Sequence, residues 1–159
     1  MYKKGIIAVA SILVLAAATY LFRPTPVPHL TITNYQTGQM LTTTRVDENQ
    51  TFSVTFTHSV NQSPVTDIYE IQGNQIILIA TEFSTFGAGI PTEPEPGQTL
   101  TQTESGTMRL GGINRAMPYV RYLVGYNTDH KVEFNGTTTY FHDLATPGQI
   151  VQFSIQMRR

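Results

Sequence analysis

The chain has 159 residues, a formal charge of −1 and no cysteine. The length suits one domain with a sizeable core, and the near-neutral balance supplies no field for nucleic acid. The absence of thiols excludes disulfides, thiolate catalysis and cysteine-bound zinc.

Residues 1–23 read as a membrane anchor or a signal sequence. Gly5 to Phe22 carries no charge and, as a helix, would span about 27 Å, close to the bilayer hydrocarbon thickness. Ala16-Ala17-Ala18 offers a small-residue cleavage site, but Tyr20-Leu21-Phe22 continues the apolar run past it and favours an uncleaved helix. Lys3 and Lys4 before the run predict an N-terminus held inside. The remaining chain is then expected outside the cytoplasm, in the periplasm or at the cell surface. Pro24 to Pro28 forms a stiff spacer, and residues 29–159 form the domain proper. From Pro24 onward, seven basic face eleven acidic residues.

In chain order, His29 to Tyr35 alternates as a strand, and Gln50 to His58 does so most clearly, with Phe52, Val54, Phe56 and His58 on one face. Val65 to Ile71 and Gln75 to Phe83 flank Gly73-Asn74, a pair suited to a two-residue hairpin turn. An unbroken register from that turn sets Val65 opposite Glu82 and places Asp67 and Glu82 on one face. Thr92 to Gly97 is a charged, proline-broken loop. Thr99 to Thr103 and Gly106 to Leu110 suit short strands, Arg115 to Pro118 a helical turn, and Tyr119 to Tyr126 a further strand. Asn135-Gly136 is a strong hairpin signal between Lys131 to Phe134 and Thr137 to Phe141, and its register opposes Asp129 to His142. Ile150 to Ile155 alternates as the last strand. These elements predict an all-β domain, an antiparallel β-sandwich of immunoglobulin-like size or a closed barrel, preceded by one transmembrane helix.

His58-Ser59-Val60, Pro64-Val65, Asp67 and the run Phe83-Ser84-Thr85-Phe86-Gly87-Ala88-Gly89-Ile90-Pro91 resemble a bacterial domain-of-unknown-function family, numbered 1850. Its members are often encoded beside TAXI-type TRAP transporters. The close match runs from Phe52 to Pro91. The resemblance implies an extracytoplasmic, membrane-tethered accessory to solute uptake, with a transporter or its solute-binding protein as partner. It supplies no chemistry.

The candidate ligand or partner contacts are His58, Ser59, Asp67, Glu82, Phe86, Gly87, Gly89 and Pro91. His58 and Ser59 are successive strand residues and point to opposite faces, so they do not make a base–nucleophile pair. No catalytic set, cofactor or metal is expected. Asp67 and Glu82, two carboxylates on a mostly apolar face, suggest a ligand or cation site, with pairing of Glu82 to Arg115 or Arg121 as the structural alternative. Gly87 and Gly89 provide backbone freedom, Phe86 a core plug and Pro91 an edge stop. The expected function is a binding or accessory module, with small-ligand or divalent-cation binding as the alternative and no enzymatic activity.

Overall fold

The computed structural model describes residues 25–60, 62–86, 93–126 and 129–159. Eleven strands and one helical turn follow in order: β1 (Val27–Asn34), β2 (Met40–Arg45), β3 (Thr51–Thr57), β4 (Pro64–Gln72), β5 (Gln75–Phe83), β6 (Thr99–Gln102), β7 (Met108–Met117), β8 (Tyr119–Leu123), β9 (Lys131–Phe134), β10 (Thr137–Tyr140), α1 (Phe141–Leu144) and β11 (Ile150–Arg158). They build a four-stranded sheet, β2-β1-β11-β8, and a seven-stranded sheet, β10-β9-β3-β4-β5-β7-β6. Every strand pairing is antiparallel.

The alternating residues of each strand supply the core. Leu30 and Ile32 of β1 and Val151 and Phe153 of β11 meet Phe52 and Val54 of β3 and Tyr69 and Ile71 of β4, in one buried cluster drawn from both sheets. Phe52 stacks on Tyr69 and on Phe153 at 5.0 and 6.0 Å between ring centres. A second, smaller cluster of Val65, Phe83 and Leu110, with Phe56, Leu100, Met108 and Ile113 against it, comes wholly from the seven-stranded sheet.

The expectation of an immunoglobulin-sized sandwich or closed barrel behind a transmembrane helix is corrected. The strands form two open sheets, and neither closes into a barrel. No helix among the described residues is long and apolar enough to cross a membrane. The anchor expected at residues 1–23 lies outside the described residues. Single-pass topology, a membrane partner, placement outside the cytoplasm and the membrane-tethered accessory role therefore find no spanning helix to support them.

Local differences have physical causes. The Gly73-Asn74 hairpin sets Gln72 opposite Gln75 as expected, but further on Ile68 faces Ala80 while Tyr69 faces Leu78. Ile79 is thus an extra residue, a β-bulge that swaps the two faces of β5 beyond it. Arg115 to Met117, expected as a helical turn, completes β7 because it pairs with Ile76 to Leu78. Between Gly111, opposite Ala80, and Arg115, opposite Leu78, β7 takes up its surplus length with positive φ at Gly112 and Asn114. The Asn135-Gly136 turn forms with positive φ at both positions, but its ladder ends at Tyr140 opposite Lys131. Chain reversal into α1 then takes His142 away from Asp129.

Candidate functional site

The bulge at Ile79 decides what surrounds Asp67. An unbroken ladder brings Glu82 to its face; the observed one sets Thr81 directly opposite Asp67 and Phe83 opposite Val65. Glu82 turns to the other face and pairs with Arg109 across β5 and β7, Nη1 to Oε1 2.7 Å. The predicted pair of carboxylates does not form, and the partner of Glu82 is neither Arg115 nor Arg121.

Asp67 is instead ringed by hydroxyls. Thr81 Oγ1 donates to Oδ1 at 2.9 Å, and Tyr122 Oη donates to Oδ2 at 2.8 Å. Tyr69 Oη lies 3.3 Å from Oδ2 and also contacts Tyr122 Oη. A phenol has one proton, so the better-formed chain runs from Tyr69 to Tyr122 to Asp67. Tyr122 belongs to β8 in the four-stranded sheet, whereas Asp67, Tyr69 and Thr81 belong to β4 and β5 in the seven-stranded one. The hydrogen bond from Tyr122 therefore joins the two sheets. Burial, and next the charge of Asp67, push both phenols far above the usual range for tyrosine.

Asp67 also lies in the wall of a cavity of about 400 Å³. Its apolar walls are Phe56, Val65, Leu78, Phe83, Leu110 and Ile113; its polar groups are His58, Asp67, Thr81, Glu95, Gln98 and Arg115. Glu95 and Arg115 are exposed, on the rim, while Asp67 and Thr81 are half-buried. The loop carrying Glu95 and Gln98 is fixed at two points. Gln98 Oε1 accepts the Glu95 backbone N–H at 3.0 Å, and the Gln98 N–H returns to the Glu95 carbonyl at 2.9 Å. The Gly97 carbonyl oxygen then sits where a side chain on Gly112 would begin, 2.4 Å from an ideal Cβ. Glycine at 112 therefore meets two demands, a φ of +74° and the close approach of this loop. A smaller cleft of about 200 Å³, between Leu30, Ile32, Val132 and Phe134, has only threonines and Asn135 as polar lining.

The other expected contacts are spread out. His58 follows β3 and lines the large cavity; its Nδ1 accepts the Val60 N–H at 3.3 Å. Ser59 is exposed in the adjoining turn. Phe86, expected in the core, is 43% exposed and meets Phe83 edge to face at 5.2 Å. Gly87, Gly89 and Pro91 lie outside the described residues. His130 is buried; its Nδ1–H donates to the Leu123 carbonyl at 2.9 Å, and Nε2 has no partner among the described residues.

Sequence reasoning missed Thr81 and Tyr122. Tyr69 is legible, being two residues from Asp67 on the same face of β4. Tyr122 belongs to the other sheet, 55 positions along, and no local pattern marks it.

Fold and cavity together define a β-rich domain with one carboxylate set among hydroxyls at the edge of an apolar pocket. The chain belongs to the family described as domain of unknown function DUF1850, whose model matches residues 52–141, more than half of the sequence. The matched segment runs from Phe52 in β3 to the first residue of α1 and contains every residue named for the larger cavity. No curated protein and no solved structure matches the chain.

Proposed function

We propose that this chain is a small-molecule-binding domain without chemistry of its own, and that the occupant sits in the cavity beside Asp67. The observation that carries the reading is the cavity itself: about 400 Å³, walled by apolar side chains and given direction by a few convergent polar groups. The absence of catalysis is part of the same proposal. It is supported by the engagement of Asp67 with neighbouring hydroxyls and by the placement of Ser59 in an exposed turn.

The resemblance to a family encoded beside TAXI-type TRAP transporters favours a soluble metabolite over a macromolecule as occupant. Under this reading the neighbouring genes and the cavity would share a solute; contact with a transporter is not part of the proposal.

A thermal-shift screen of the full-length protein against metabolite-sized compounds tests the proposal. A binder at a hundredfold excess over its dissociation constant should stabilise the fold by about 2.7 kcal/mol. Ile113→Trp, which fills the cavity from its wall, should abolish that gain while leaving the unliganded protein folded. Absence of any binder, or binders indifferent to Ile113→Trp, would overturn the reading.

A further inference from the structure

We propose that the occupant of this cavity carries a protonated amine, for which Asp67 is the counter-ion. The inference rests on the small-molecule reading above and specifies the ligand class.

The hydroxyls around Asp67 are neutral donors. Thr81 and Tyr122 give it one good hydrogen bond each, while the Tyr69 proton is engaged by the Tyr122 oxygen, so they disperse its charge without cancelling it. An ionised carboxylate offers about four acceptor sites, and at least one remains beyond these donors. No ion pair to Asp67 forms among the described residues; the described salt bridges engage Glu82, Glu133 and Asp143. Carboxylates removed from water are stabilised best by a hydrogen-bonded cation. Here the cavity supplies room for one.

The site suits an ammonium better than a divalent metal. Among the described residues no three His, Cys, Asp or Glu side chains gather as a metal-ligating group, whereas calcium takes six to eight oxygens, and magnesium demands octahedral geometry and gives up its waters reluctantly. A primary ammonium needs only three acceptors. Asp67 offers a charged one, and the Thr81 and Tyr oxygens have lone pairs left after donating. Phe56, in the same wall and 5.4 Å from the Tyr122 ring, adds an aromatic surface of the kind that attracts organic cations. Val65, Leu110 and Ile113 then call for a hydrocarbon or aromatic body behind the ammonium. Arg115 on the rim is the competing feature, because it would favour an anion.

An isosteric charge series decides between them: phenethylamine, phenethyl alcohol and phenylacetate, titrated into the full-length protein at neutral pH by calorimetry. The amine should bind at least about tenfold tighter than the alcohol, with phenylacetate weaker still. Asp67→Asn should bring amine and alcohol to equal affinity. Thr81→Val, which keeps the carboxylate, should retain the preference. Equal binding of amine and alcohol to the unaltered chain overturns the inference, as does tightest binding of phenylacetate with its loss in Arg115→Gln. If the compound screen yields only neutral or anionic binders sensitive to Ile113→Trp, the amine is wrong and the binding domain stands. If no compound in either experiment binds, both fall. The series on the unaltered protein is decisive by itself, so failure of Asp67→Asn to fold does not rescue the idea.

Discussion

Strands β4 and β5 are packed differently at their two ends. Toward the hairpin, Tyr69, Ile71 and Ile76 join a cluster that includes Phe153 and Val151 of the four-stranded sheet. Toward the other end, the buried cluster around Val65 and Phe83 draws on their own sheet alone among the described residues, Phe86 from the following loop meets Phe83, and a cavity opens beside them. Asp67 stands between, hydrogen-bonded to the last tyrosine that reaches across from the opposite sheet. The same pair of strands therefore makes a solid core where a second sheet covers it and a hollow where loops replace that cover. The hollow end is where a ligand can be accommodated without displacing packed side chains.

The largest expected effect lies at the solid end. Phe153 is fully buried and contacts Phe52, Tyr122 and Phe141, so Phe153→Ala should cost about 3–5 kcal/mol in urea denaturation. Leu110→Ala, beside the cavity, should cost about 2 kcal/mol, the lower end for such a truncation, because solvent can enter the space it leaves. Equal costs would erase the distinction between the ends.

The polar boundary should respond to alkali. Burial holds the Tyr69 and Tyr122 phenols protonated in the folded protein far above the value of about 10 that they have when unfolded. Below that unfolded value both states hold the protons and the stabilisation is fully present. Above it the unfolded chain releases them first, so stability falls as pH rises, by up to about 1.4 kcal/mol per pH unit for each phenol. Ultraviolet titration should show two of the eight tyrosines ionising only as the fold is lost. Tyr122→Phe should remove one of these delayed ionisations and halve the slope of stability against pH. Ordinary titration of all eight would show that the boundary is wet and that Asp67 already has solvent for company.

Much of the β-architecture was legible because alternation and turn chemistry are local. The strand from Thr51 to Thr57 and both glycine-containing hairpins needed only period-two patterning and positive-φ turns. What lay beyond reach was non-local. Nothing in Ile77-Leu78-Ile79-Ala80 announces which residue is left unpaired, since four apolar residues satisfy either register on a sheet with few polar faces. Nor does the neighbourhood of Tyr122 indicate that its hydroxyl meets a strand 55 positions earlier. The candidate site was therefore half visible: Asp67 was named, on the correct face, with the wrong residue of β5 beside it.

That error supplies the last prediction, on two successive residues of one strand. Thr81 donates to the half-buried Asp67, and hydrogen bonds to charged groups contribute about 1.5–3 kcal/mol; Thr81→Val keeps the volume and should lose an amount in that range. Glu82 makes a shorter contact with an opposite charge, 2.7 Å to Arg109, but with side-chain exposures of 38% for the arginine and 30% for the glutamate. Solvent and salt screen such a pair, and Glu82→Gln should cost less than about 1 kcal/mol, shrinking further in high salt. Sequence inspection ranks the two the other way, since a carboxylate in a strand looks more consequential than a threonine. Without the bulge at Ile79 the two side chains would exchange faces, and the larger loss would move to Glu82. Measuring both variants in parallel therefore tests the register of β5 as directly as it tests either interaction.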